Sequence, residues 1–190
     1  MVSISNAISA YCVQRKIIDP NDEVWLRYGI EKRLSTTVIL FPFLILSFIL
    51  TDFFSGLSFL IAFKLIRGKA SGYHSNTLLH CFLISLVLEL LFLIVLYPRL
   101  LAENITICNL INCLVVFTLA PYNHPNMGLS QKEISALRHE SQRAVVLLSI
   151  ISATFSILGL LPIAKGLVTG VAMASFSLCL AYINDWRKKK

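Results

Sequence analysis

Long apolar stretches, separated by short polar segments, make up most of the chain from residue 34 onward. They cover about Leu34–Thr51, Phe53–Ile66, Leu78–Tyr97, Ile105–Ala120, Ala144–Pro162 and Gly166–Ile183. A helix needs ~20 apolar residues, with a range of ~17 to 25, to cross the hydrocarbon core of a bilayer. The first, third, fifth and sixth stretches are long enough. The second and fourth are short, and each is either a tilted span or a re-entrant segment. The pattern predicts an all-α integral membrane protein with six transmembrane helices.

The segment before the first apolar stretch is amphipathic rather than continuously apolar. Apolar residues recur at helical spacing between Ile4 and Tyr11, which predicts a short helix over about residues 2–17 lying in the membrane interface. A second short helix is expected to begin near Asp22 and to run to about Arg33, with Trp25 at the level of the lipid headgroups.

Composition supports a membrane protein and argues against a soluble one. The chain has 190 residues, of which 56% are hydrophobic and 14% charged, and its mean hydropathy is +0.75. A soluble domain is about one-quarter charged. The net charge of +7 does not indicate a nucleic-acid partner, because the basic residues lie between the apolar stretches and form no stripe interleaved with aromatics.

The basic residues instead predict the orientation of the chain in the membrane. If both termini are cytosolic, the inside segments contain every lysine and arginine except Arg99 and Lys165, in agreement with the positive-inside rule. We therefore expect a multi-pass protein of the cell membrane that forms one domain over residues 1–190. Within it, residues 1–33 are interfacial helices and residues 34–190 form the transmembrane bundle.

The five cysteines do not form a recognisable framework. Their number is odd and no two of them have CxxC spacing, which argues against a set of disulfides and against a zinc ribbon. Cys108, Cys113 and Cys179 lie inside apolar stretches, where a cysteine usually acts as a small buried hydrophobe. We expect neither a metal nor a cofactor.

Cys81 differs from the others because it follows a basic, glycine-containing turn at residues 64–77 and lies about four residues inside the third apolar stretch. At ~1.5 Å per residue this is roughly 6 Å below the cytosolic mouth. A helix start at Ser75 or Asn76 would place the thiol near the positive end of the helix dipole, and Arg67 and Lys69 would act in the same direction. These surroundings are typical of a reactive thiol, although an inert buried cysteine is the alternative.

His74 is the candidate base for that thiol. It precedes Cys81 by seven residues, which on one continuous helix would separate the two side chains by ~10 Å. The pair can meet only if the chain bends between them, and Gly72 would allow the bend. A thiol paired with an imidazole is the arrangement that nucleophilic acyl transfer requires.

Other pairings in this region remain open. His80 points about 100° away from Cys81 on a helix. A zinc site formed by His74, His80 and Cys81 is conceivable but has no recognised ligand spacing. Glu31 could orient the imidazole as a third member, or it could pair with Arg27 four residues earlier.

Three further features complete the pattern. Glu89 lies inside the third apolar stretch, where it needs a partner; a bond to Asn109 or Asn112 is favoured over a role in a substrate path. Ser130 and Glu133 have capping-box spacing and predict a helix start. The sixth stretch contains Gly166-Leu167-Val168-Thr169-Gly170, a GxxxG motif that serves either packing within the monomer, which is favoured, or a homodimer.

Three motifs, in order along the chain, resemble those of the accessory gene regulator B family, membrane peptidases that process quorum-sensing pheromone precursors. They are Arg27-Tyr28-Gly29-Ile30-Glu31, then Arg67…Gly72-Tyr73-His74 followed by Cys81, and Ala120-Pro121…His124-Pro125-Asn126. The family usually has Gly-Gly before the residue that precedes the histidine, and here Ser71-Gly72 takes that place.

The resemblance implies a cysteine endopeptidase with an active site near the cytosolic face. Its substrate would be an AgrD-like precursor peptide with an amphipathic leader, a central segment and an acidic C-terminal tail. Cys81 would release the tail with His74 as base and then acid, and a thiol or hydroxyl of the peptide would close a thiolactone or lactone ring. Asn76, Thr77 or backbone N–H groups are our candidates for holding the oxyanion.

Two classes without covalent chemistry compete with this interpretation. A small peptide exporter or permease would account for the six spans and for Glu89 inside the membrane. A membrane scaffold would account for the helices alone. Only the peptidase requires Cys81.

Overall fold

The computed structural model describes residues 2–73, 78–123 and 130–188, and within these ranges the chain is helical, without a strand. The α-helices are α1 (Val2–Gln14), α2 (Glu23–Leu50), α3 (Phe53–Ala70), α4 (Leu78–Leu91), α5 (Ala102–Leu119), α6 (Gln131–Ile157) and α7 (Leu161–Lys188). A 3-10 turn, Pro20–Asp22, precedes α2. A π-helical turn, Phe92–Leu96, and a 3-10 turn, Tyr97–Arg99, follow α4.

Among the described residues, three stretches are long and apolar enough to cross a membrane: Leu79–Arg99, Ala102–Leu119 and Leu161–Arg187. Leu40–Leu50 is a shorter apolar helix. The all-helical prediction is confirmed. The six-span arrangement and the cytosolic termini remain predictions.

The chain divides into two compact units, Met1–Phe43 and Leu44–Lys190. In the first, α1 is tied to the start of α2: Ser5 Oγ donates to Glu31 Oε1 at 2.9 Å and Ser9 Oγ donates to Glu23 Oε1 at 3.3 Å. Trp25 is exposed, as a headgroup anchor would be.

The expected break between an interfacial helix and the first span is absent. The prediction of a separate helix ending near Arg33 was wrong, because α2 is continuous from Glu23 to Leu50. The reason is local, since no glycine or proline lies between Gly29 and Pro42 to interrupt the backbone hydrogen bonds.

In the second unit, α7 is the central helix and packs against α3, α5 and α6. Its buried side chains include Val168, Val171, Met173 and Leu178. The largest aromatic buried against this core is Phe59 of α3, which is 0% exposed. The core of the unit is therefore a layer of α3 and α7 side chains with α5 and α6 beside it.

The GxxxG motif is used inside the monomer. A Cβ at Gly166 would overlap Ser58 and the backbone of Ser55, and a Cβ at Gly170 would overlap the carbonyl oxygen of Phe59. Both glycines therefore let the α7 backbone approach α3 closely. The favoured alternative, packing within the monomer, is confirmed, and the motif is no longer available as evidence for a homodimer.

A polar cluster at the start of α3 joins this helix to Tyr97, in the 3-10 turn after α4, and to Pro162, near the start of α7. Asp52 caps α3 and accepts from the Ser55 N–H at 3.0 Å. Ser55 Oγ also donates to the Pro162 carbonyl at 2.9 Å and lies 2.7 Å from the Tyr97 hydroxyl. Burial raises the pKa of Asp52, but the hydrogen bonds from Ser55 outweigh burial and hold that pKa below its usual value.

Elsewhere the predicted helix ends agree with the structure. Ser130 and Glu133 form the expected capping box at the start of α6. The turn at Asp52 separates α2 from α3. The fourth apolar stretch, considered short, belongs to the 18-residue helix α5.

We expect Gly170→Ala to destabilise the protein by about 1–3 kcal/mol, the usual cost of overpacking, because the added methyl group meets the Phe59 carbonyl. Gly68→Ala is the matched control, since nothing lies within 4 Å of a Cβ at that position. An alanine there should be neutral or stabilising by about 0.5–1 kcal/mol. Thermal unfolding in detergent measures both, and equal stability of the two variants would contradict the packing described.

Candidate active site

Cys81 lies in α4, three residues after Leu78, the first residue of that helix that the structure describes. Its thiol is half-buried and forms no disulfide. Cys81 belongs to the third apolar helix as expected, and the helix start at Ser75 or Asn76 remains a prediction. His74, Asn76 and Thr77 lie outside the described residues, so their predicted roles remain predictions.

The Arg67 side chain brings a positive charge to this region from the last turn of α3. Its guanidinium is close enough to Cys81 for the two groups to interact electrostatically. Nη2 donates to the Tyr73 carbonyl at 2.5 Å, whereas Nη1 is buried and has no hydrogen-bond partner among the described residues. Arg67 therefore holds the chain just before His74 and retains a free donor.

Gly72 leaves the space that the guanidinium occupies. Its φ is +151°, and a Cβ at this position would overlap Arg67 Nη1 and lie 3.0 Å from Ser177 Oγ. The next residue is fixed to α7, because the Tyr73 N–H donates to the Ser177 carbonyl at 3.0 Å. The chain thus turns away from α3 at Gly72 and is held by α7 at Tyr73. The predicted bend that would bring His74 to Cys81 runs through residues 74–77, outside the described residues, and remains a prediction.

The segment that follows α5 is attached to the same end of the bundle. The Tyr122 N–H donates to the Ala70 carbonyl at 3.0 Å. The Tyr122 ring makes an edge contact with Tyr182 at 5.1 Å between centroids, and the Tyr182 hydroxyl donates to the Leu119 carbonyl at 2.9 Å. The motif that begins at Arg67 and the motif that begins at Ala120 are far apart in sequence. These hydrogen bonds bring their described residues together at the end of α3.

A cleft of about 250 Å³ opens beside Tyr73. Its lining consists of Tyr73, Ile84, Leu180, Ile183, Asn184 and Arg187. Ile84 follows Cys81 by one helical turn, which places both residues on one side of α4. The cleft thus opens on the side of α4 that carries Cys81, although Cys81 is not part of its lining, and it has apolar walls and two polar side chains from the end of α7. The sequence analysis did not predict a role for Asn184 and Arg187, because neither belongs to a motif. Arg187 was counted only among the basic residues at the end of the chain.

The prediction that the charge of Lys69 acts on Cys81 was wrong, because that charge is paired with Glu140. Lys69 donates to Glu140 Oε2 of α6 at 2.6 Å, the only ion pair formed within residues 2–73, 78–123 and 130–188. Two helical positions separate Lys69 from Arg67, so the two side chains leave α3 in different directions.

The carboxylates considered earlier also have other surroundings. The Glu31 carboxylate accepts a hydrogen bond from the Ser5 hydroxyl. Glu31 and Arg27 both lie in the described part of the chain, and they form no ion pair with each other. The role of Glu31 as a third member remains a prediction. The expected bond from Glu89 to an asparagine was wrong, because Asn109 donates to Ser152 Oγ at 2.7 Å and Asn112 is directed at the Val168 carbonyl. Both Glu89 oxygens are buried without a partner in the described part of the chain.

The zinc alternative is not tested by the structure. Within the described residues, no three His, Cys, Asp or Glu side chains converge. The proposed set of His74, His80 and Cys81 includes one residue outside them.

Comparison with protein families gives one result that agrees with this geometry. The model of the family AgrB, accessory gene regulator B, matches residues 5–178. The chain belongs to the AgrB family. Searches of curated proteins and of solved structures each gave no significant match.

AgrB membership supports a role in the processing of quorum-sensing pheromone precursors and, together with the three long apolar helices, a membrane location. The matched range contains Arg67, Gly72 and Cys81, whereas Asn184 and Arg187 lie beyond it.

We expect Gly72→Ala to slow alkylation of Cys81 several-fold, because its methyl group displaces the Arg67 guanidinium and so weakens the electrostatic interaction between Arg67 and Cys81. Gly159→Ala is the matched control. Gly159 also has a positive φ, +77°, but a Cβ there meets nothing within 4 Å, so its variant carries the backbone strain without moving Arg67. Rates of labelling by a maleimide decide the matter, and equal rates in the two variants would exclude a role for Arg67 at the thiol.

Proposed function

We propose that this AgrB protein is a membrane-embedded cysteine endopeptidase whose nucleophile is Cys81. The observation that carries the proposal is the environment of that thiol: it is half-buried in an apolar helix and interacts electrostatically with Arg67. A cleft lined by Ile84 opens one helical turn further along the same helix. Cysteine nucleophiles depend on such a positive, partly exposed environment.

In the proposed first step, His74 accepts the thiol proton and the Cys81 sulfur attacks the carbonyl carbon at the end of the central segment of the precursor. The C–N bond then breaks, His74 donates its proton to the leaving amine, and the acidic tail departs with a new N-terminus. The central segment stays on the enzyme as a thioester.

In the proposed second step, a thiol or hydroxyl of the bound peptide gives its proton to His74 and attacks the thioester carbonyl. The bond between that carbonyl carbon and the Cys81 sulfur breaks, His74 returns the proton to the sulfur, and the peptide leaves as a thiolactone or lactone. Exclusion of water from the site would favour ring closure over hydrolysis. The site lies next to apolar helices, and this supports a low-water environment.

Arg67 is suited to a supporting role in both steps. Its Nη1 is buried with no partner among the described groups. A preorganised donor of this kind stabilises the oxyanion that forms on the attacked carbonyl. We propose that Arg67 acts in this way together with Asn76, Thr77 or backbone N–H groups.

The extended precursor is proposed to bind in the cleft beside Tyr73. Ile84, Leu180 and Ile183 offer apolar contacts to residues around the cleaved bond, and Arg187 adds a positive charge at the same cleft. That charge is complementary to an acidic tail.

A peptide exporter remains the second candidate, and one observation favours it. Glu89 is fully buried within a candidate span and lacks a partner among the described side chains. Buried ionisable groups in membrane helices often mark transport paths. Transport into sealed vesicles that is indifferent to alkylation of Cys81 would favour this candidate.

We expect Cys81→Ala to abolish release of the tail, because no other group replaces the sulfur nucleophile. His74→Ala should do the same. Cys108→Ala is the matched control, since Cys108 is also a half-buried thiol of an apolar helix but lies on α5, which contributes no residue to the cleft. Cleavage of the precursor in membranes, followed by mass spectrometry, measures all three. Cleavage by inserted Cys81→Ala protein would end the proposal.

We expect Arg187→Glu to raise the KM for a precursor with an acidic tail while leaving kcat nearly unchanged, because the charge contributes to binding and not to the chemical step. Replacing acidic residues of the tail by lysine should restore part of the affinity. Lys132→Glu makes the same charge change on exposed α6 and is the control. If both variants raise KM equally, the effect is general electrostatics and not recognition in the cleft.

A further inference from the structure

A second cavity, of about 540 Å³, lies among α3, α6 and α7 and shares no lining residue with the cleft beside Tyr73. We call it the α3–α6 groove. Its walls are apolar and include Ile61, Leu65, Leu147, Ile151, Phe155 and Leu167. The function proposed above makes no use of this groove.

One end of the α3–α6 groove is charged. Lys69 and Glu140 form their ion pair there, and Arg143 follows Glu140 by one helical turn. The hydrogen bond and charge of Lys69 hold the pKa of Glu140 below its usual value, and the charge of Arg143 adds to this effect. Two cations and one carboxylate leave this end of the groove with a net positive charge.

The dimensions of the groove limit what it can hold. Arg143 and Phe155 are separated by ~18 Å along α6, at ~1.5 Å per residue. One leaflet of the hydrocarbon core is ~15 Å thick, half of ~30 Å. The groove therefore has the height of one leaflet.

We propose that the α3–α6 groove binds an anionic phospholipid, with an acyl chain along the apolar walls and the phosphate at Lys69 and Arg143. Basic pockets between membrane helices bind anionic headgroups in this manner. Charge complementarity at one end and apolar lining over the height of a leaflet support a lipid as the occupant. The site is independent of the chemistry at Cys81.

Arg143 is the better probe of the headgroup contact because, unlike Lys69, it makes no ion pair that its removal would break. Full-length protein, stripped of lipid in a neutral detergent, is heated with phosphatidylglycerol, with phosphatidylcholine of the same acyl chains, or with inorganic phosphate. We expect phosphatidylglycerol alone to raise the unfolding temperature, and Arg143→Gln to lose most of that shift. Lys132→Gln, on the exposed start of the same helix, should keep it.

Native mass spectrometry of the same samples identifies the occupant. We expect a retained phosphatidylglycerol adduct that is lost in Ile151→Trp protein, whose indole would fill the groove. Equal shifts with both lipids, a shift with phosphate alone, or a peptide adduct in place of lipid would each overturn the proposal. So would an Arg143→Gln variant that keeps its preference for phosphatidylglycerol.

Discussion

The close approach of α7 to α3 is the constraint on which the second unit depends. It is possible only because Gly166 and Gly170 place no side chain between the two backbones. In a bilayer such contact is a main source of helix association, since lipid is as apolar as a leucine side chain and burial gains little.

The candidate active site depends on the same contact between α3 and α7, at the end where α3 stops and the chain continues to Tyr73. Because α7 lies against α3, the Ser177 carbonyl reaches the Tyr73 N–H, and the loop that carries the motif is held there. Arg67 then fills the space left by Gly72 and interacts electrostatically with Cys81. Arg67 and Tyr73 are close in sequence, but a helix much later in the chain holds the segment that carries them.

Much of this arrangement could be predicted from the sequence, because local chemistry determines it. The turn of the chain at Gly72 and the cap at Ser130 each follow from residues within a few positions. The cleft could not be predicted, since Asn184 and Arg187 carry no motif and their meeting with Ile84 is a result of tertiary packing. Glu89 shows the same limit: its expected asparagine partners are on α5, but they are directed at Ser152 and Val168.

The π-helical turn at Phe92–Leu96 has a consequence for the geometry of the third apolar stretch. Such a turn contains about one residue more than an α-turn, so positions beyond it are rotated by about 100° relative to a regular helix. Tyr97 meets Ser55 after this rotation. A helical wheel drawn outward from Cys81 would assign Tyr97 to a different face. The widened turn thus lets the two ends of one span satisfy neighbours that lie in different directions.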